Sequence, residues 1–174
     1  MSAPFGIKMH SPVNNYDETS SLNGGLLAIT PPKPQPAFAE YIVQGSGNHG
    51  IVWVKAISPA FENDAYGTNV QAALQRVSKQ LSNKYGMPEK VDFLGHEALF
   101  AEPNDWVMSL LQQERHAFHV WKKAEGANLP DDLETVFLGY LPLSTGDCSF
   151  VLEYASPHQA AADDEQDEQL SDLL

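Results

Sequence analysis

The sequence is poor in several features that would reveal a compartment or a chemistry. It has one cysteine, Cys148, so the chain cannot form an internal disulfide. No stretch approaches the roughly 18 apolar residues of a membrane-spanning helix, and the N-terminus has no apolar run of signal-peptide length. These absences predict a cytoplasmic protein that does not insert into membranes. Cys148 precedes an apolar, strand-like run and is interpreted as an inert core thiol.

Positive charge is scarce as well. Ten Lys and Arg residues stand against 23 Asp and Glu, which leaves a formal net charge of −13 at pH 7. Such a surface repels the phosphates of nucleic acids and anionic membrane surfaces, so neither is expected as a partner. The same charge would speed the encounter with a basic protein, although solubility explains an acidic surface equally well.

Catalytic motifs are also missing. There is no Gly-x-Ser-x-Gly nucleophile elbow, and no helix follows the glycine-rich segment 45–50, so its amides are interpreted as turn donors rather than a phosphate cradle. The acid pairs Asp131 with Asp132 and Glu62 with Asp64 fall in polar turns, where we expect water to solvate them. The chain is therefore predicted to be non-enzymatic and without a cofactor, although a site assembled from distant residues escapes such a search.

Histidines provide the one weak indication of a metal site. His116 and His119 form a His-x-x-His pair, which on a strand would point to opposite faces of the sheet. His96 beside Glu97 lacks the second histidine of a metalloprotease helix. A zinc site also needs a third ligand and an outer layer of supporting residues. No metal is predicted, and a site at His96, His116 and His119 is kept as the minor alternative.

One amphipathic helix is the clearest structural signal. Between residues 69 and 85, apolar side chains recur at steps of three or four and form a single stripe. Gly86 is suited to the helix end and Pro88 forbids continuation. A shorter helix is predicted over residues 104–115, with Trp106 on its apolar face.

Most of the remaining sequence patterns predict strands. Residues 38–43 and 50–57, separated by turn residues, predict a β-hairpin whose second strand is apolar on both faces and therefore central. Further strands are predicted at residues 5–9, 26–29, 117–121, 135–141 and 148–154. Residues 10–25 are predicted as loop and residues 89–100 as largely irregular. The fold class is α+β: one domain with a mainly antiparallel sheet of about five to seven strands, packed by the long helix and the shorter one.

Composition changes abruptly near the C-terminus. Residues 157–174 contain six acids and no Lys or Arg. Such a segment buries little apolar surface, so residues 1–156 are predicted to form the domain and residues 157–174 a disordered acidic tail. Three leucines, Leu170, Leu173 and Leu174, leave open an alternative in which the tail folds on a partner.

Several short motifs occur in order along the chain. They are Phe5-Gly-Ile, a Pro-x-Phe-x-x-Tyr segment ending at Tyr41, Leu-x-x-Lys-Tyr-Gly-x-Pro ending at Pro88, Asp-Trp ending at Trp106, and a closing Leu-Glu-Tyr ending at Tyr154. In this combination the chain resembles a family of small uncharacterised bacterial proteins over most of residues 5–154. The resemblance supports the fold and brings no activity or catalytic residue with it.

These observations favour a non-enzymatic acidic protein that neutralises or regulates a basic protein partner, in the manner of an immunity protein or a phage-type inhibitor. The candidate contact residues are Trp106, Glu62, Asp64, Asp131 and Asp132. Two alternatives stay open: a small enzyme or ligand-binding module with a histidine-lined site, and an acidic nucleic-acid mimic. The oligomeric state is left open.

Overall fold

The computed structural model describes residues 2–174, in which an eight-stranded antiparallel sheet is the largest element. The strands are β1 (Asp17–Ser21), β2 (Leu26–Thr30), β3 (Glu40–Ser46), β4 (Gly50–Ile57), β5 (Glu89–Leu94), β6 (Arg115–Lys122), β7 (Thr135–Pro142) and β8 (Cys148–Ala155). The helices are α1 (Thr68–Tyr85), α2 (Trp106–Leu111) and α3 (Gln159–Ser171). The predicted α+β class is confirmed.

The sheet consists of two four-stranded meanders joined at its centre. The spatial order is β1-β2-β3-β4-β8-β7-β6-β5, so β4 and β8 pair where the two meanders meet. The hairpin of β3 and β4 and the central position of β4 are as predicted. Among residues 2–174, no helix is both long and apolar enough to span a bilayer.

Helix α1 connects the two meanders and covers one face of the sheet, against β7 and β8. Its stripe Val70, Leu74, Val77 and Leu81 is buried, as the periodicity predicts. Full burial of one such side chain contributes about 1.5–3 kcal/mol, so this stripe holds the helix on the sheet. The helix ends at Gly86, whose positive φ of 90° suits glycine and whose N–H donates to Ser82 O.

Two strands lie where the sequence predicts no regular structure. Strand β1 falls inside the predicted loop 10–25, and β5 falls inside the irregular stretch 89–100. Both are edge strands: β1 pairs with β2 alone and β5 with β6 alone. Because most of their side chains are exposed, their sequences carry no apolar alternation, and backbone pairing with the neighbouring strand defines them. They raise the strand number above the predicted range.

The predicted strand at residues 5–9 is wrong. Pro4–Gly6 form a short 3-10 turn, in which Phe5 has a φ of 56° and Gly6 a φ of 78°. Ile7 and Met9 are nevertheless fully buried in the core, so the apolar alternation reflects burial without strand pairing.

The second helix is shorter than predicted. It runs from Trp106 to Leu111 after a 3-10 turn at Pro103–Asp105. Gln113 then adopts a left-handed φ of 59°, which ends the helix and sends the chain into β6 at Arg115.

The segment predicted as a disordered tail contains a helix, α3, that lies against β3 and β4. Ala162 is the buried residue of this helix. Gln44 Nε2 donates to Asp163 Oδ1 at 2.7 Å, and Ser46 Oγ donates to Glu165 Oε2 at 2.5 Å. The acidic composition of this segment predicts disorder and not a helix. Hydrogen bonds from β3 hold two of its acids against the sheet, and local sequence does not encode that arrangement.

Candidate functional site

Two of the predicted contact residues belong to the interior. Trp106 is 8% exposed, stands edge-on to Tyr140 with ring centroids 4.9 Å apart, and packs against Gly67. Asp64 is 6% exposed and accepts hydrogen bonds from the N–H groups of Asn69 and Val70 at the start of α1. Trp106 packs in the core and Asp64 caps α1, so little of either side chain is exposed, and their contact with a partner stays a prediction.

The other three acids do not form one surface. Glu62 adjoins the bridge between Phe61 and Cys148 at the start of β8. Asp131 and Asp132 lie near the other end of β8, where Glu134 N–H donates to Ala155 O. The two ends of this strand are about 24 Å apart at the ~3.4 Å rise of an antiparallel strand. A single small contact therefore does not include all three.

Asp131 and Asp132 are also engaged within the chain. Asp131 pairs with Lys123. Burial alone would raise the pKa of Asp132, but hydrogen bonds from Ser2 Oγ, at 2.6 Å, and from Ser2 N–H outweigh it and lower that pKa from 3.8. Asp132 thus anchors the N-terminal segment beside the sheet.

The histidines of the metal alternative are separated by the sheet. His119 is buried on the side of α1, where its Nδ1 lies 2.7 Å from Ser78 Oγ. His116 is exposed and stacks on Phe93, its register partner in β5. His96 is exposed in the loop that follows β5. Within residues 2–174 no group of three or more His, Cys, Asp or Glu side chains is placed to hold a metal ion.

Cys148 is a buried thiol, as interpreted from the sequence. Burial raises its pKa to about 12. The thiolate form needed for nucleophilic attack is therefore scarce at neutral pH.

Three other histidines do come together, and they line an open cleft of about 800 Å³. The His49 and His158 rings stack with centroids 4.5 Å apart and an interplanar angle of 6°. The His10 ring stands edge-on to His158 at 5.0 Å. We call these three residues the histidine cluster. None of the 13 residues that line the cleft is Asp, Glu, Lys or Arg.

Backbone contacts at the start of β4 bring His10 to the cluster. His10 N–H donates to Ile51 O at 2.8 Å, and Ile51 N–H donates to Ser11 O at 2.9 Å. Gly50 makes this approach possible, because a Cβ there would lie 2.5 Å from His10 O. His10 itself has a φ of 65°, a left-handed conformation that non-glycine residues adopt mainly where surrounding contacts hold them.

The cluster comes from three separate parts of the chain. His10 belongs to the N-terminal segment, His49 to the turn between β3 and β4, and His158 immediately precedes α3. No spacing in the sequence links the three histidines, and the pattern of segment 45–50 is one of glycines, which predicts only a turn. The cluster becomes apparent only in the structure, where β4 pairs with the N-terminal segment and with Ser156.

Burial and neighbouring charge set the state of His10. Burial is the largest cause that lowers the pKa of His10 from 6.5; His158 and His49 lower it further, and Asp132 opposes them. His10 Nε2 lies 2.6 Å from Ser156 Oγ. Within the described residues, no hydrogen bond uses a ring nitrogen of His49 or His158. The rings of His49 and His158 therefore offer the cleft nitrogens that can donate or accept hydrogen bonds and are unpaired within the described residues.

Acidification below about pH 6.5 is expected to destabilise the protein through His10 and His119. Burial is the largest cause that lowers the pKa of each ring from 6.5. Below 6.5 the unfolded chain therefore binds more protons than the folded chain, so the free energy of unfolding falls until the pH reaches the lowered pKa values. Urea denaturation in steps from about pH 7.5 to about pH 5 measures this loss.

The paired change His10→Asn with His119→Asn should flatten the pH dependence in that window. The matched change His96→Asn with His116→Asn removes two exposed histidines and should leave it intact. Equal slopes in the two variants would contradict the assignment. Asp132 does not interfere, because its pKa lies below 3.8.

Comparison of the chain with protein-family models, with curated proteins and with solved structures finds no match in any of the three.

Proposed function

We propose that the protein is a non-enzymatic binding protein of the cytoplasm that recognises a basic protein partner through the outer surface of α3. The observation that supports this is an ordered acidic helix. Asp164, Asp167 and Glu168 of α3 and the following Asp172 are exposed, and residues 157–174 contain no Lys or Arg.

The attachment of α3 leaves these acids available. Asp163 and Glu165 accept hydrogen bonds from Gln44 and Ser46 of β3, which fixes one side of the helix on the sheet. None of the three ion pairs found within residues 2–174 involves an acid of α3. The helix is therefore fixed to the sheet and exposes negative charge that no ion pair of the described residues neutralises.

Repulsion within α3 favours a basic partner. Asp163 and Asp167, and also Asp164 and Glu168, are four residues apart on one helix. Each such like-charge pair destabilises a helix by about 0.2–0.5 kcal/mol. A partner with clustered Lys and Arg would relieve this repulsion, so binding and helix stability are coupled.

Such a partner fits an immunity protein or a phage-type inhibitor, whose acidic surface neutralises a basic protein. Charge complementarity of this kind mainly accelerates association and gives a steep dependence on salt. The nucleic-acid mimic is a special form of the same idea, in which the partner is itself a DNA- or RNA-binding protein. At 13 residues, α3 spans about 20 Å, which is short for a mimic of an extended duplex.

The test is affinity capture with a charge-neutralised helix. The variant Asp164→Asn with Asp167→Asn and Glu168→Gln is expected to lose most of the basic partner that the wild-type protein captures at low salt. Neutralising exposed acids should slow association by roughly tenfold or more, because steering falls steeply as charge is removed. Association rates at low and high salt, measured with the captured protein, quantify the loss.

A matched control removes the same charge elsewhere. Asp17→Asn with Glu18→Gln and Glu97→Gln also neutralises three exposed acids, but on β1 and on the loop after β5. Equal loss in both variants would show that net charge alone acts, and no loss in either would contradict a role for α3. Displacement of the captured protein by DNA would favour the mimic form.

A further inference from the structure

We propose that the cleft at the histidine cluster binds a compact oxyanion, a phosphate-like or carboxylate group, and takes up a proton as it does so. This proposal is independent of the acidic surface of α3. The net negative charge of the whole chain would not by itself predict an anion-binding site.

The three imidazoles lie in contact with one another. Their ring centroids lie 4.5 Å and 5.0 Å apart, so a proton on one ring opposes a proton on the next. Two like charges about 4 Å apart cost about 1 kcal/mol in water and about 4 kcal/mol near a protein surface. An anion in the cleft compensates this repulsion. Anion binding and proton uptake therefore favour each other.

The cleft lining contains no acidic residue. In a chain with 23 Asp and Glu residues, none of the residues lining the cleft is acidic. Two acids near the cluster are hydrogen-bonded within the chain: Asp132 accepts from Ser2, and Glu165 accepts from Ser46. Asp132 raises the pKa of His10, but burial has a larger effect and lowers it. Glu165 lies behind Ser46 and Gly47, and no carboxylate is part of the cleft wall itself.

The cleft also supplies hydrogen-bond donors for an oxyanion. The ring nitrogens of His49 and His158 have no hydrogen-bond partner within the described residues, and His10 uses one nitrogen on Ser156. On protonation, both nitrogens of an imidazole become donors, which suits an oxyanion that only accepts. Three glycines of the turn, Gly45, Gly47 and Gly50, add no side chain to the cleft wall.

A metal ion fits the cluster less well than an anion. The His49 and His158 rings are nearly parallel, so their in-plane lone pairs run side by side and do not converge on one tetrahedral centre. This agrees with the lack of a metal-holding group within residues 2–174.

Isothermal titration calorimetry with inorganic sulfate tests the proposal, because sulfate keeps its charge over the pH range used. Sulfate should bind at about pH 5.5, and its affinity should fall by about tenfold or more by about pH 8, as expected when binding depends on a histidine proton. Titration in two buffers of different ionisation enthalpy should show proton uptake. Phosphate and acetate at the lower pH then distinguish a tetrahedral oxyanion from a carboxylate as the preferred ligand.

Two paired variants locate the binding. His49→Gln with His158→Gln should abolish it, while His96→Gln with His116→Gln should leave it unchanged, and both pairs should fold because three of the four side chains are exposed and His49 is only half-buried. The ring signals of His10, His49 and His158 in NMR spectra should move on addition of sulfate. No heat with any of the three anions at about pH 5.5, an affinity independent of pH, or equal binding by both variants would overturn the proposal.

Discussion

Replacing Trp106 by alanine is expected to lower the free energy of unfolding by about 3–5 kcal/mol, the usual cost of truncating a buried aromatic side chain. The ring is 8% exposed and fills the space between Gly67 and Tyr140. Arg115 also lies over it, with the guanidinium carbon 5.9 Å from the ring centroid. Chemical denaturation of the variant beside the wild-type protein measures the loss.

Two controls separate packing from partner contact. Leu99→Ala changes a side chain that is 84% exposed and should leave stability within about 0.5 kcal/mol of the wild type. Trp106→Phe should recover part of the loss, because a smaller ring still fills some of the space. A Trp106→Ala variant with unchanged stability and weakened capture of a partner would restore Trp106 as a contact residue.

Replacing Gly50 by alanine is expected to cost about 2–5 kcal/mol and to separate His10 from the cluster. The new Cβ would lie 2.5 Å from His10 O and 2.6 Å from Ser11 O, and Gly50 has a φ of 68°. A left-handed non-glycine residue costs about 1–2 kcal/mol, and overpacking adds about 1–3 kcal/mol. Denaturation measures the first effect, and the loss of NMR contacts between the His10 and His158 rings measures the second.

Gly24 provides the matched control for this change. Its φ of 75° is also left-handed, but a Cβ there meets no atom within 4 Å. Gly24→Ala should therefore show the backbone strain alone, about 1–2 kcal/mol, with the histidine cluster unchanged. Equal losses at the two positions would mean that the close approach of the turn to His10 contributes nothing.

Elements with a buried apolar pattern were predictable. Helix α1 shows its stripe at helical spacing, and β4, β7 and β8 are short runs of β-branched and aromatic residues bounded by turns. Buried positions require apolar side chains, so the pattern is visible in the sequence. Strand β5, with mostly exposed side chains on an edge, carries no such pattern.

The candidate site was not predictable in the same way. His116 and His119 form a short motif because they are close in sequence, yet the sheet places them on opposite faces. The histidine cluster has no local spacing at all, since it depends on which segment crosses the turn at Gly50. Motifs of neighbouring residues reveal ligands that lie on one helix or strand. They miss a site whose residues come from three separate segments of the chain.

By itself, the sequence determined the local features of this protein: the amphipathic α1 with its end at Gly86, the apolar central strands, the buried Cys148 and the net charge of −13. Each of these depends on neighbouring residues or on composition. The tertiary structure alone decided the edge strands, the attachment of α3 through Gln44 and Ser46, the packing of Trp106 between Gly67 and Tyr140, and the meeting of the three imidazoles. These depend on contacts between residues far apart in the chain, whose free energy becomes available only when the whole sheet has formed.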